Sequence, residues 1–288
     1  MNNVLRTLVF DGQVSLTVAD TTKTVRKAIQ LHKLSLASAY VFGKALSAMT
    51  FASAALKGEN GEISLAVKSD GAGGDIAVSG NAKLQMRGYI DNTALDGEAS
   101  AQTETRALGA NGALTIIRDD GYSRPFVGSC ALNENATVDS AFEKYYEISE
   151  QLPTRIRTQV LFNKKGQCAY AAVAALQPLP FCDEEILQKV QECDLNALLD
   201  EVQKTGITET VKSRFTPDCS VWEERQAKYK CNCSRRYLLK VLASLGERQM
   251  RQIIEEDGAV RVHCHYCNKE YSFTKEDADV LFGEKESK

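Results

Sequence analysis

The chain has 288 residues, 43% hydrophobic and 25% charged, with a formal net charge of −3 and a pI near 5.8. That length provides for one sizeable core and a second, smaller unit. The slightly acidic balance argues against a general nucleic-acid binder, which needs a basic face to displace counterions. No apolar run approaches the roughly 20 residues that span a bilayer, so no membrane partner is expected. The opening "MNNVLRTLVFDGQVSLTV" shows no basic segment leading into an apolar one, so no secretory signal is expected either. The nine cysteines are therefore expected in a reducing cytoplasm, where clustered thiols signify metal or redox chemistry more often than structural disulfides.

"LRTLVFDGQVSLTVAD" reads as two extended runs joined by Asp11-Gly12, a dipeptide suited to a type I′ hairpin. A helical pattern follows from about Thr21 to Leu56. Its stretch "LSLASAYVFGKALSAMTFASAAL" is apolar nearly all round yet contains Lys44, which suggests a core helix covering a sheet. Strand-like segments come next: "EISLAVKS", "GDIAVSG", "LQMRGYI" and, after a polar loop, "GALTIIRDD". The glycines of "SDGAGGDIAVSG" are turn glycines, because no Gly-Lys-Ser/Thr opens a helix behind them as a phosphate loop requires. "ATVDSAFEKYYEISEQL" is an amphipathic helix ended by Pro153, and "RIRTQVLF" and "GQCAYAAVAALQ" return two strands. The fold class is α+β, with an N-terminal mixed domain over residues 1–180.

Beyond Pro180, "CDEEILQKVQECDLNALLDEVQK" places Leu187, Val190, Leu195, Leu198, Leu199 and Val202 near helical spacing on a background of Asp, Glu and Lys. Such a narrow stripe must dock on something to be stable. With the weakly periodic stretch around Trp222, residues 181–230 read as a helical connecting region of low intrinsic stability.

Residues 231–288 form the third part. Cys231 and Cys233 make a Cys-x-Cys couple, and Cys264 and Cys267 a Cys-x-x-Cys couple. Four thiolates are a complete tetrahedral set for structural zinc, and a metal would staple a unit too small to be held by its core alone. Between the couples the sequence reads as helix, break at Gly246, helix and turn at Asp257-Gly258. A hairpin then carries the second couple at its bend, and Thr274 with Asp277 opens a last helix. His263 and His265 are expected on one strand face as solvated side chains, and Arg235 and Arg236 beside the first couple could offset its charge. The lone His32 is read as a helix-end residue without a partner. A Cys-x-Cys disulfide needs local bending and would be strained, hence easily reduced. Oxidation of thiolate ligands would destroy the site. Spacing alone leaves a purely structural zinc and a redox switch both open.

The Cys-x-Cys followed by Ser-Arg, the "SLGE" between the couples and "CHYCNKEYSF" together resemble the redox-regulated 33-kDa chaperonin family, also called heat-shock protein 33. "YYEISEQLPT" (145–154), "MRGYI" (86–90), "SDGAGG" and "LQPLP" extend the resemblance over nearly the whole chain in the expected order. One departure is "AAVAALQPLP", where the family usually has a Gly-Gly pair. Cys130, Cys168, Cys182, Cys193 and Cys219 match no family motif and read as small buried or half-buried residues. The resemblance implies that the reduced protein holds Zn2+ through Cys231, Cys233, Cys264 and Cys267. Peroxide or hypochlorite with unfolding stress would close Cys231–Cys233 and Cys264–Cys267 and release the metal. The connector would then lose its support. The oxidised homodimer would hold unfolding client proteins without ATP and pass them to ATP-driven foldases.

The alternative in another class is a zinc-ribbon nucleic-acid-binding module. It would want a basic 231–288 segment, whereas "EEDG", "KEDAD" and "GEKES" balance the cations. An enzyme is not expected: a catalytic zinc keeps a water position beside three protein ligands, and four cysteines close the shell.

Overall fold

The computed structural model describes residues 3–283, apart from the side chain of Cys219. Contacts divide the chain into two compact units, Met1–Lys230 and Cys231–Lys288. The fold is mixed α+β.

The first unit opens with β1 (Val4–Val9) and β2 (Val14–Asp20). Asp11 and Gly12 take φ values of 54° and 80°, and Gln13 N–H donates to the Phe10 carbonyl at 3.1 Å, the mirror-image turn that Asp-Gly favours. The helical stretch expected from Thr21 to Leu56 is two helices, α1 (Thr22–His32) and α2 (Leu36–Ala54). Lys33 stops the first in a left-handed conformation. Ser35 starts the second by accepting the Ser38 N–H on its Oγ at 3.2 Å, which satisfies an otherwise orphaned donor.

Strands β3 (Glu62–Ser69), β4 (Ile76–Asn81) and β5 (Gln85–Ile90) follow. The polar loop after them contains a helix, α3 (Ala101–Leu108), before β6 (Gly112–Asp119) and β7 (Phe126–Ala131). Then come α4 (Val138–Tyr145), which runs on into a π-helical turn at Tyr146–Glu150, and the strands β8 (Arg155–Phe162) and β9 (Cys168–Pro178). Residues 181–230 supply α5 (Glu184–Glu192), α6 (Leu195–Thr205), α7 (Ile207–Arg214), β10 (Asp218–Arg225) and β11 (Lys228–Tyr229).

Two sheets result, in the strand orders β10-β1-β2-β9-β8 and β11-β5-β4-β3-β6-β7. Helix α2 contacts strands of both, and all its residues except Leu36 and Tyr40 are buried. A helix enclosed by two sheets has no polar face to keep, which explains its unbroken apolar sequence. The exception, Lys44, is satisfied in place. Its Nζ lies 2.7 Å from Glu104 on α3 and 3.4 Å from Asp139 on α4. Glu104 also accepts the Val138 N–H at 2.6 Å, and Asp139 the Thr158 N–H at 3.1 Å. Burial pushes the Glu104 carboxyl up against the pull of Lys44. Burial would lower Lys44, but Asp139 and Glu104 outweigh it and its pKa is raised. The two shifts pull oppositely on the pair. The Lys44 direction decides, because one ammonium faces two carboxylates.

The other face of the first sheet is covered by α5–α7. Ile186, Val190, Leu198, Leu199, Val202 and Val211 bury against Leu5, Val9, Leu16, Val18 and Leu176. Strand β9 therefore has helices on both faces. Val173 and Ala175 join the core around α2, while Ala172 and Ala174 join the core beneath α6. Small side chains let both helices approach.

The second unit contains α8 (Arg235–Ala243), α9 (Glu247–Asp257), the hairpin β12 (Val260–Cys264) and β13 (Lys269–Phe273), and α10 (Lys275–Phe282). Gly246 and Gly258, at φ 86° and 78°, break the chain where the sequence reading placed the breaks. Thr274 and Asp277 form the reciprocal cap of α10. Its small core packs Leu242, Met250, Val260, Phe273 and Ala278 together, of which Met250, Phe273 and Ala278 are fully buried.

Candidate metal centre

Cys231 and Cys233 lie in the extended stretch before α8, and Ser234 starts that helix by accepting the Tyr237 N–H at 3.2 Å. Cys264 ends β12, and its carbonyl accepts the N–H groups of Cys267 at 3.2 Å and Asn268 at 2.8 Å. Asn268, at φ 57°, completes the tight bend that turns Cys267 back toward Cys264.

All four sulfurs lie within 4.8 Å of one another. Cys231 Sγ is 3.7 Å from Cys264 Sγ, and Cys233 Sγ is 3.3 Å from Cys267 Sγ. A tetrahedral zinc with bonds of about 2.3 Å spaces its sulfurs about 3.8 Å apart, so the donor set fits that ion in number, type and spacing. Both of these separations run between the couples. All pairs stay inside the same limit, so proximity does not select a disulfide pairing.

Three of the thiols are shifted, and not in the same direction. Burial pushes Cys231 up to about 11 and raises Cys267 as well, the latter also by donating to Cys233. Burial would raise Cys233 too, but hydrogen bonds from Tyr271 and Cys267 outweigh it and bring this thiol down to about 7. Tyr271 Oη lies 3.2 Å from Cys233 Sγ. The sequence reading did not single out this tyrosine, although period-two alternation puts it on the strand face of buried Phe273. Arg235 is committed elsewhere. It donates to Asp277 at 2.6 Å and to the Ser272 carbonyl at 2.8 Å, and its guanidinium stacks 4.7 Å from the Phe273 ring centroid.

His263 and His265 are both exposed, with ring centroids 5.3 Å apart. His32 does have a partner. It is buried at the end of α1, 3.0 Å from the hydroxyl of Tyr229 on β11, and that hydroxyl donates to the Gly88 carbonyl at 2.9 Å. No local signal links residues 197 positions apart. Of the remaining cysteines, Cys130 and Cys168 are buried and Cys182 and Cys193 half-buried, all as free thiols. The side chain of Cys219 lies outside the described residues.

A sequence model of the Hsp33 protein family matches residues 2–274. The 33 kDa chaperonin of Bacillus cereus (strain G9842) is 31% identical over 293 residues, covering 96% of this chain and 97% of that protein. The 33 kDa chaperonin of Bacillus anthracis (strain CDC 684) is 30% identical with the same coverage. The crystal structure of the 33 kDa chaperonin (heat shock protein 33 homolog) from Thermotoga maritima superposes with a TM-score of 0.83 at 22% identity, over 97% of each chain. At that identity the likeness speaks for the fold.

Proposed function

The chain belongs to the Hsp33 protein family, and from that premise we propose that it is an ATP-independent holdase switched on by oxidation of Cys231, Cys233, Cys264 and Cys267. The observation that carries this reading is the convergence of four sulfurs from two distant couples in a unit whose own apolar core is small. Functionally the chain divides into a core domain (1–180), a metastable linker (181–230) and a zinc-binding switch domain (231–288).

Zinc, when bound, keeps the sulfurs as thiolates and ties the couples together. A thiolate attacks peroxide oxygen to give a sulfenic acid, and a second thiolate displaces hydroxide from that sulfur. For each disulfide, two thiols and one hydrogen peroxide become one cystine and two waters. The pairing Cys231–Cys233 and Cys264–Cys267 rests on the family resemblance. Sulfurs joined in disulfides no longer serve as ligands, and the small core is left to hold its unit alone.

Lys230 and Cys231 are consecutive, so loosening the first couple frees the end of the linker. Its helices of 9, 11 and 8 residues are shorter than the roughly 12–15 residues that persist alone in water and depend on docking to the first sheet. Their release would uncover the apolar sheet face around Leu5, Val9 and Leu16 and present their own apolar stripes. That surface suits unfolded client segments. In this reading the oxidised protein pairs with a second copy in the cytoplasm and yields its clients to ATP-driven foldases after reduction.

The test follows zinc release and free thiols as peroxide is added at mild heat, with aggregation of an unfolding client recorded on the same samples. Loss of zinc and four thiols, with aggregation suppressed only by the oxidised sample, is expected. Zinc that stays bound, or leaves without any gain in holding activity, would make the site structural.

A further inference from the structure

The imidazoles of His263, on β12, and His265, in the turn that follows it, flank the ligand candidate Cys264, and alternation turns His263 to the strand face opposite Cys264. Both are exposed. Their ring centroids are 5.3 Å apart with the planes at 81°. Two imidazoles on one tetrahedral cation, with metal–nitrogen bonds of about 2.0–2.1 Å, hold their centroids about 5.1 Å apart. The pair already stands at the separation a chelate requires.

Asn268 supplies a second, independent observation. Its Oδ1 lies 2.6 Å from His263 Nε2, and a carbonyl oxygen there suits the neutral tautomer that donates from Nε2 and keeps its lone pair on Nδ1. Metal-binding histidines are commonly oriented in this way, through the second nitrogen donating to a carbonyl or carboxylate. Glu270 is paired directly opposite His263 across the hairpin, which puts an anionic side chain on the same face.

We infer that His263 and His265 form a second, solvent-open site for a borderline divalent cation such as zinc, nickel or copper(II), at the exposed bend of the hairpin. Imidazole is the ligand these ions share, and water fills the other positions. The site differs from the cysteine cluster in ligand type and exposure, and it stands whether or not the cysteines hold zinc.

The test titrates Ni2+ into the zinc-loaded full chain by calorimetry. Thiolate-to-nickel charge-transfer absorption and released zinc are followed on the same samples. The expected result is uptake of Ni2+ without zinc release and without thiolate bands, and at least tenfold weaker binding in the His263→Ala/His265→Ala variant at unchanged zinc content. Equal affinity in that variant, or nickel entering only with zinc release and thiolate bands, overturns the inference. A chain that holds no zinc at the outset speaks against the cysteine reading alone. Its thiols are then alkylated and the same titration decides for the histidine pair.

Discussion

Each unit of the molecule gathers reactive side chains at a centre, and the two centres are satisfied in opposite ways. In the first unit, Lys44, Glu104 and Asp139 are drawn from α2, α3 and α4. Protein groups meet their needs: two carboxylates for the ammonium, and the backbone N–H groups of Val138 and Thr158 for the carboxylates. In the second unit, four sulfurs converge and their protein donors are few, chiefly Tyr271 and one another. A centre closed by the chain's own groups belongs to a permanent core. A centre whose groups suit a metal ion would make its surroundings conditional on that ion.

The sharpest way to break this comparison is to remove one sulfur. Cys264→Ser is expected to abolish zinc binding and to strip amide-exchange protection from α8–α10, since a structural zinc contributes about 10 kcal/mol or more to such a unit. The sheets around α2 should keep their protection. If both units lose it together, the contrast between them fails.

Lys44→Ala attacks the other centre. It leaves two buried carboxylates facing each other, and breaking a buried ion pair in this way costs about 3–5 kcal/mol. Denaturant unfolding of the first unit should shift by that amount while zinc content stays the same. A shift below about 1 kcal/mol would place the triad among pairs of little consequence, as exposed ones are.

The smallest effect sharpens the comparison inside the second unit. Asp277 accepts the Thr274 N–H at 2.8 Å and the Arg235 guanidinium at 2.6 Å. Burial would raise its pKa, but these two donors outweigh it and the pKa is lowered. A carboxyl whose folded pKa lies below its unfolded value stabilises above the ordinary aspartate range, near about 3.9, and that contribution fades as pH falls through the folded pKa. Asp277→Asn should therefore cost about 0.5–2 kcal/mol at neutral pH, the range for a helix cap. The gap to the parent protein should close in acid, read from the amide exchange of α10. A gap independent of pH would assign the effect to packing.

Much of the second unit was legible in the sequence because its determinants are local. Glycines at 246 and 258, a capping pair three residues apart and two cysteine couples are signals contained within a few positions. In the first unit the hairpin at Asp11-Gly12 and the strands beginning at Glu62 and Arg155 were legible for the same reason. Helix α3 was hidden in a polar loop because only one side of it meets the core. Edge strand β7 was missed because its exposed Phe126 and Val127 blur the alternation that marks a half-buried strand.

The amino-acid sequence by itself determined the family, the α+β class, the four candidate ligands and the places where the chain must turn. These follow from side-chain chemistry and backbone freedom at individual positions. Only the tertiary structure decided what the stretch after Arg214 does. Val4 of β1 pairs with Arg225 of β10, and Tyr229 of β11 pairs with Met86 of β5, so this stretch closes an edge of each sheet. It decided equally that Lys44 is neutralised from two other helices and that His32 meets Tyr229. A strand edge offers the same N–H and C=O groups whatever its sequence, and a buried charge accepts any counter-charge that packing brings near. Such partners are selected by the arrangement of the whole chain, and no local pattern records them.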